Sequence, residues 1–123
     1  MSAAKILIVD DEREYLDAIV ERLQNRGFDV VGSDSGDAAL SKLQGETFDL
    51  VLLDIKMPGA RDGIDILREI KQLRAETEVI LVTAHASVEN CIESMRLGAF
   101  DYLVKPVQLN ELLGKMARAL AHE

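Results

Sequence analysis

Apolar residues along this chain fall into two spacings that alternate. Short, nearly unbroken apolar runs occur at Lys5–Val9, Phe28–Val31, Leu50–Leu53, Val79–Val82 and Tyr102–Val104. Such runs, closed by turn residues or charge, predict strands buried on both faces. The second run is shorter and less apolar, so it belongs nearer a sheet edge. Between the runs the spacing changes to one helix face. Leu16, Ile19, Val20 and Leu23 mark the first stripe, with Arg22 and Arg26 in its last turns and Gly27 as its stop. Ala38, Ala39, Leu40 and Leu43 follow the capping loop Ser33-Asp34-Ser35-Gly36 and break at Gly45. Ile66, Leu67, Ile70 and Leu73 form the third stripe. Val88, Cys91, Ile92 and Met95, capped by Ser87 and closed by Gly98, form the fourth. Leu109, Leu112, Leu113, Met116 and Leu120 form the last.

Five strand-then-helix units require parallel pairing, because each crossover passes through a helix and is right-handed. The predicted fold is a doubly wound α/β protein: a (βα)5 three-layer sandwich with a parallel sheet in the order 2-1-3-4-5. Its 123 residues suit one domain spanning 1–123, with no linker or low-complexity tract. A chain of this size buries enough surface to need no disulfide or structural metal. The single cysteine, Cys91, removes an internal disulfide and a cysteine-based metal cluster from consideration.

Charge narrows the partners. A formal net charge of -8 disfavours direct nucleic-acid binding, which needs a basic face. No run is apolar for the roughly 20 residues of a membrane span. Met1 to Lys5 leads straight into a strand and leaves no room for a signal peptide, so a cytoplasmic location is expected.

Candidate chemistry lies where the strands end. In an open α/β sheet, ligands bind outside the carboxyl ends of the strands. Asp10 and Asp11 follow the first strand, Asp54 the third, Thr83 the fourth and Lys105 the fifth. Each has an ordinary reading alone: helix capping for the acidic pair, turn chemistry for Asp54, a bland strand end for Thr83, a solvated cation for Lys105. Together they are complementary. Converging carboxylates repel unless a cation sits among them, and Mg²⁺ favours one or two carboxylates plus a phosphate. A carboxylate beside Mg²⁺ can attack phosphorus, with Lys105 and Thr83 meeting the charge on the transferred group.

These residues stand in runs that resemble one family. Ile8-Val9-Asp10-Asp11-Glu12, Leu53-Asp54-Ile55-Lys56-Met57-Pro58-Gly59, Val82-Thr83-Ala84 and Gly98 through Pro106 together resemble the receiver domain of bacterial two-component response regulators, over essentially the whole chain. The resemblance implies a flavodoxin-like fold and a phosphoacceptor, Asp54. It implies a Mg²⁺ (or Mn²⁺) site from Asp10, Asp11, Asp54 and the Lys56 backbone carbonyl, with Asp11 the more direct ligand. It makes Thr83 the switch hydroxyl, Tyr102 the aromatic switch and Lys105 the phosphate-pairing lysine, and it makes the Lys105–Pro106 bond cis. Lys56 and His85 would modulate phosphate lifetime. The loop Met57 to Gly63 is one residue longer than the common form, which leaves the local turn and the start of the third helix open. His122 has no evident role.

The implied partners are a sensor histidine kinase or histidine phosphotransfer protein, and a downstream protein or fused output domain. The surface of the fourth helix, fifth strand and fifth helix would carry the response, including a phosphorylation-dependent dimer. Val88, Cys91, Ile92 and Met95 belong to that region, although ordinary core packing is the plainer expectation for them. The protein would not be an enzyme beyond its own phosphorylation and dephosphorylation. A Mg²⁺-dependent phosphatase with an Asp nucleophile needs a second acid where Lys56 stands. A nucleotide- or flavin-binding module would need a Gly-rich loop where Asp10 and Asp11 stand. A receiver-like interaction module that is never phosphorylated is the remaining alternative.

Overall fold

The computed structural model describes residues 3–55, 62–84 and 87–121. Strands and helices alternate as β1 (Lys5–Val9), α1 (Arg13–Gln24), β2 (Asp29–Ser33), α2 (Gly36–Gly45), β3 (Leu50–Leu53), α3 (Gly63–Leu73), β4 (Glu78–Thr83), α4 (Val88–Arg96), β5 (Asp101–Val104) and α5 (Leu109–Ala121). All strand pairs are parallel, in the order β2-β1-β3-β4-β5. This is the order expected from the sequence, and β2 lies at an edge as its weaker apolar pattern suggested.

Because side chains alternate across a strand, each central strand feeds two cores. Leu7, Val9, Val51, Leu53, Val79 and Leu81 pack with Leu43, Leu67 and Ile70 from α2 and α3. Ile6, Ile8, Leu50, Leu52, Ile80 and Val82 pack with Leu16, Leu23, Leu112 and Met116 from α1 and α5. An apolar run with no polar alternation is what a strand facing two cores requires, and all four residues of β3 are buried.

Local chemistry sets the helix ends. The side chains of Ser35, Asp62 and Ser87 accept from the backbone N–H of Ala38, Asp65 and Asn90, capping α2, α3 and α4. Gly27 and Gly98 follow α1 and α4 with φ of 93° and 102°, a region that glycine enters without steric cost.

The strand bounds differ from the sequence reading at three places. β2 begins one residue later and runs on to Ser33, β4 takes in Glu78 and Thr83, and β5 begins at Asp101. Apart from Gly32 the added residues are polar or charged, and all lie at strand ends, where ladder hydrogen bonds continue after the apolar run stops.

The fourth stripe departs further. Val88, Ile92 and Met95 are 75%, 54% and 45% exposed, and the buried residue of α4 is Ser94. The plainer expectation of core packing does not hold for these three. α4 packs near α3, the Ser94 hydroxyl donates to the Asn90 carbonyl one turn earlier in the same helix, and Val88, Ile92 and Met95 stay open. Periodicity reports that a helix has an apolar face, but not which side the fold covers.

One close approach fixes the entry of α3. The Gly63 N–H donates to the Ile55 carbonyl at 2.5 Å. A Cβ on Gly63 would lie 2.4 Å from the Asp54 carbonyl oxygen and 2.4 Å from Ile55 Cα. Backbone cannot yield as a flexible side chain does, so Gly63→Ala is expected to destabilise the protein by about 2–3 kcal/mol, read by urea unfolding. A loss within 0.5 kcal/mol of zero would refute the close approach.

Candidate functional site

The site forms where the strand ladder runs on past the strands. The Asp10 N–H donates to the Ser33 carbonyl at 3.1 Å, and the Asp54 N–H donates to the Val9 carbonyl at 3.1 Å. The Lys105 N–H donates to the Thr83 carbonyl at 2.8 Å. Three residues just beyond their strands are therefore held by the same bonds that hold the sheet. Asp10, Asp54 and Thr83 are all buried.

Carboxylate oxygens of Asp10, Glu12 and Asp54 all lie within 4.8 Å of one another. The Lys105 ammonium stands among them, with Nζ 2.6 Å from Asp10 Oδ2, 3.1 Å from Glu12 Oε1 and 3.4 Å from Asp54 Oδ2. Burial works against the charge on Lys105, but the hydrogen bond and charge of Asp10, joined by Asp54 and Glu12, outweigh it and hold the ammonium well above the usual lysine range. Burial also raises the Asp10 carboxyl above the usual carboxylate range, against the opposing pull of Lys105 and of the Glu12 N–H, which donates to Asp10 Oδ1 at 2.9 Å.

Of the acids expected at this site, Asp10 and Asp54 are in the cluster. Asp11 is exposed, and the third acid that converges with Asp10 and Asp54 is Glu12. The reason lies in the backbone. Glu12 is extended, with φ -79° and ψ 95°, and in extended chain alternate side chains share a side. Asp10 and Glu12 thus point together and Asp11 away. The acidic run carried this signal, because a period of two continued from β1 selects the first and third acids.

Tyr102 is partly exposed on the edge strand β5, beside the apolar stripe of α4. The Lys105–Pro106 peptide is cis. Lys56 and His85, the Met57 to Arg61 part of the longer loop, and His122 lie outside the described residues.

The donor set suits a hard divalent cation. Three carboxyl groups surround one ammonium, so acids outnumber cations at the site, and every candidate ligand atom is an oxygen. Among the described residues, no helix is long and apolar enough to cross a membrane.

The Asp10 shift has a consequence for stability. Asp10 holds its proton more tightly folded than unfolded, so stability falls as pH rises from the ordinary carboxylate range through the folded value. Without divalent cation, Asp10→Asn is expected to raise Tm at neutral pH by about 3–6 °C, with Lys105 still paired to Asp54 and Glu12. The gain should shrink as pH falls towards the ordinary carboxylate range. Thermal melts of both proteins across pH measure it, and an Asn variant that melts lower at neutral pH contradicts the assignment.

Known proteins match this arrangement over nearly the whole chain. The family model for the response regulator receiver domain covers residues 6–117. Transcriptional regulatory protein ZraR of Escherichia coli (strain K12) is 39% identical over 117 residues, covering 95% of this chain and 26% of that protein. Response regulator protein FleR of Pseudomonas aeruginosa is 42% identical over 116 residues, covering 94% of this chain and 24% of that protein. The chain thus spans about a quarter of the length of these relatives. Among solved structures, a CheY-like response regulator receiver domain protein from Methanospirillum hungatei JF-1 superposes with a TM-score of 0.94 at 37% identity, covering 98% of this chain and 95% of that one. The BeF3-activated DrrB receiver domain superposes with a TM-score of 0.85 at 35% identity, covering 98% and 99%. With its five-stranded parallel sheet and the acids and lysine gathered at one end of it, this chain belongs to the response regulator receiver domain family of two-component signalling.

Proposed function

We propose that this receiver domain takes a phosphoryl group from the phosphohistidine of a sensor histidine kinase or histidine phosphotransfer protein onto Asp54. The observation that carries this reading is the convergence of Asp54 with Asp10, Glu12 and the Lys105 ammonium at the end of the central strands. A carboxylate oxygen of Asp54 attacks phosphorus as the phosphorus–nitrogen bond breaks, and the bonding pair returns to the imidazole. Asp10, Glu12 and Asp54 would hold Mg²⁺ (or Mn²⁺), with Asp11 and the Lys56 carbonyl as further family-implied ligands. That ion supplies positive charge to the phosphoryl oxygens. Lys105 pairs with another phosphoryl oxygen, and the Thr83 hydroxyl donates to one.

The product stays on the protein and is the signal. A doubly negative group at Asp54 draws Thr83 and Lys105 towards it, and Tyr102 turns inward as Thr83 moves. The response appears on the α4-β5-α5 surface, where it controls a downstream protein, a fused output domain or a phosphorylation-dependent dimer. The exposed Val88, Ile92, Met95 and Val104 support that surface as the point of contact. ZraR is by name a transcriptional regulatory protein, which supports transcription as the output of a longer protein containing this domain. Lys56 and His85, two positions past Asp54 and Thr83 in sequence, would set phosphate lifetime, as the family resemblance implies. The acidic chain does not itself contact nucleic acid, and it works in the cytoplasm.

Incubation with acetyl phosphate and Mg²⁺ is expected to add the mass of one phosphoryl group, and Asp54→Asn is expected to abolish the addition. Intact-mass spectrometry reads both. Phosphorylation that persists in the Asn variant would falsify the reading.

A further inference from the structure

Lys105 makes one contact that the transfer chemistry above does not use. Its Nζ lies 4.3 Å from the centroid of the Tyr15 ring. An ammonium has three N–H donors, and here three carboxylates stand within reach of them. The ring therefore adds attraction through its π face and removes water from the ammonium. The Lys105 side chain is only 10% exposed, although two of the three acids come from the same short segment after β1. Tyr15 arrives in the first turn of α1, where the Leu16 N–H donates to the Glu12 carbonyl and ties the turn to the acidic segment. The ring also lines the groove between α1 and the start of α5, beside Ile19, Val107 and Leu112.

We propose that Tyr15 is a positioning residue for Lys105: its ring holds the ammonium against Asp10, Glu12 and Asp54 and keeps bulk water off it, so that the charge is in place when a phosphoryl group arrives. This inference rests on the phosphoacceptor reading of Asp54 for its kinetic consequence, but not for the positioning itself. The attraction belongs to the aromatic face, so Phe can supply it and an aliphatic side chain cannot. Burial holds the Tyr15 phenol above its usual range, which keeps the ring neutral beside the acids.

Two measurements on the 123-residue chain test the proposal, using Tyr15→Phe and Tyr15→Leu. The first is the rate of reductive ¹³C-methylation of Lys105, followed by NMR without acetyl phosphate. Tyr15→Leu should raise it about fivefold, and Tyr15→Phe should leave it within about twofold. The second is the rate of Asp54 phosphorylation by acetyl phosphate at saturating Mg²⁺. Tyr15→Leu should lower it about fivefold, and Tyr15→Phe should restore it. Circular dichroism melts check that each variant folds, and Tyr15→Met repeats the comparison if Leu does not. Unchanged Lys105 methylation in the aliphatic variant overturns the positioning. Faster methylation with unchanged phosphorylation overturns the kinetic consequence. Absence of phosphorylation in all proteins overturns the phosphoacceptor reading, while the methylation rates still decide the placement of Lys105.

Discussion

Three carboxylates gathered at the strand ends, Asp10 and Asp54 buried and Glu12 open to solvent, repel one another without a cation, and in this protein the cation comes from the far end of the chain. Lys105 reaches back to Asp10 and Glu12, more than 90 residues earlier in sequence. The contact closes the sheet functionally as well as in sequence, because it links the ends of β1, β3 and β5. It also defines the problem that any incoming ligand must solve. A divalent cation would meet the excess of acids over the one ammonium, and the proposed phosphoryl group would give Lys105 a further anion to hold.

The fold was largely legible because both of its periodicities were clean. Unbroken apolar runs such as Leu50–Leu53 specify strands covered on two sides, and the strand-helix alternation leaves few topologies open. The converging groups were legible where they follow strands directly: Asp10, Asp54 and Lys105. They were less legible where side-chain direction depends on local backbone. Asp11 and Glu12 are equally acidic, and only the extended conformation after β1 separates them. Tyr15 stands one position before the first helix stripe, and nothing in a linear pattern reveals a ring stacked on a lysine 90 positions away.

The fourth helix shows the same limit on a larger scale. Its apolar residues have helix spacing, which sequence reasoning assigns to a core by default. The sheet ends at β5, however, so no further layer covers the far side of α4. Val88, Ile92 and Met95 join Tyr102 and Val104 in a shallow apolar crevice of about 620 Å³. Exposure of so many large apolar groups together is unusual for a surface without a partner. It fits a helix whose buried residue is Ser94 and whose apolar side stays open.

The division of the interior into two cores has a consequence of its own. Leu52 and Leu53 are adjacent in sequence yet contribute to opposite sides of the sheet. A substitution at one repacks against α1 and α5, and at the other against α2 and α3. Such changes share backbone but few side-chain partners, so their effects should combine nearly independently. The sheet acts as a partition: the layer that carries Tyr15 and the layer that Gly63 enters can vary separately, while the acids and the lysine keep their places at its rim.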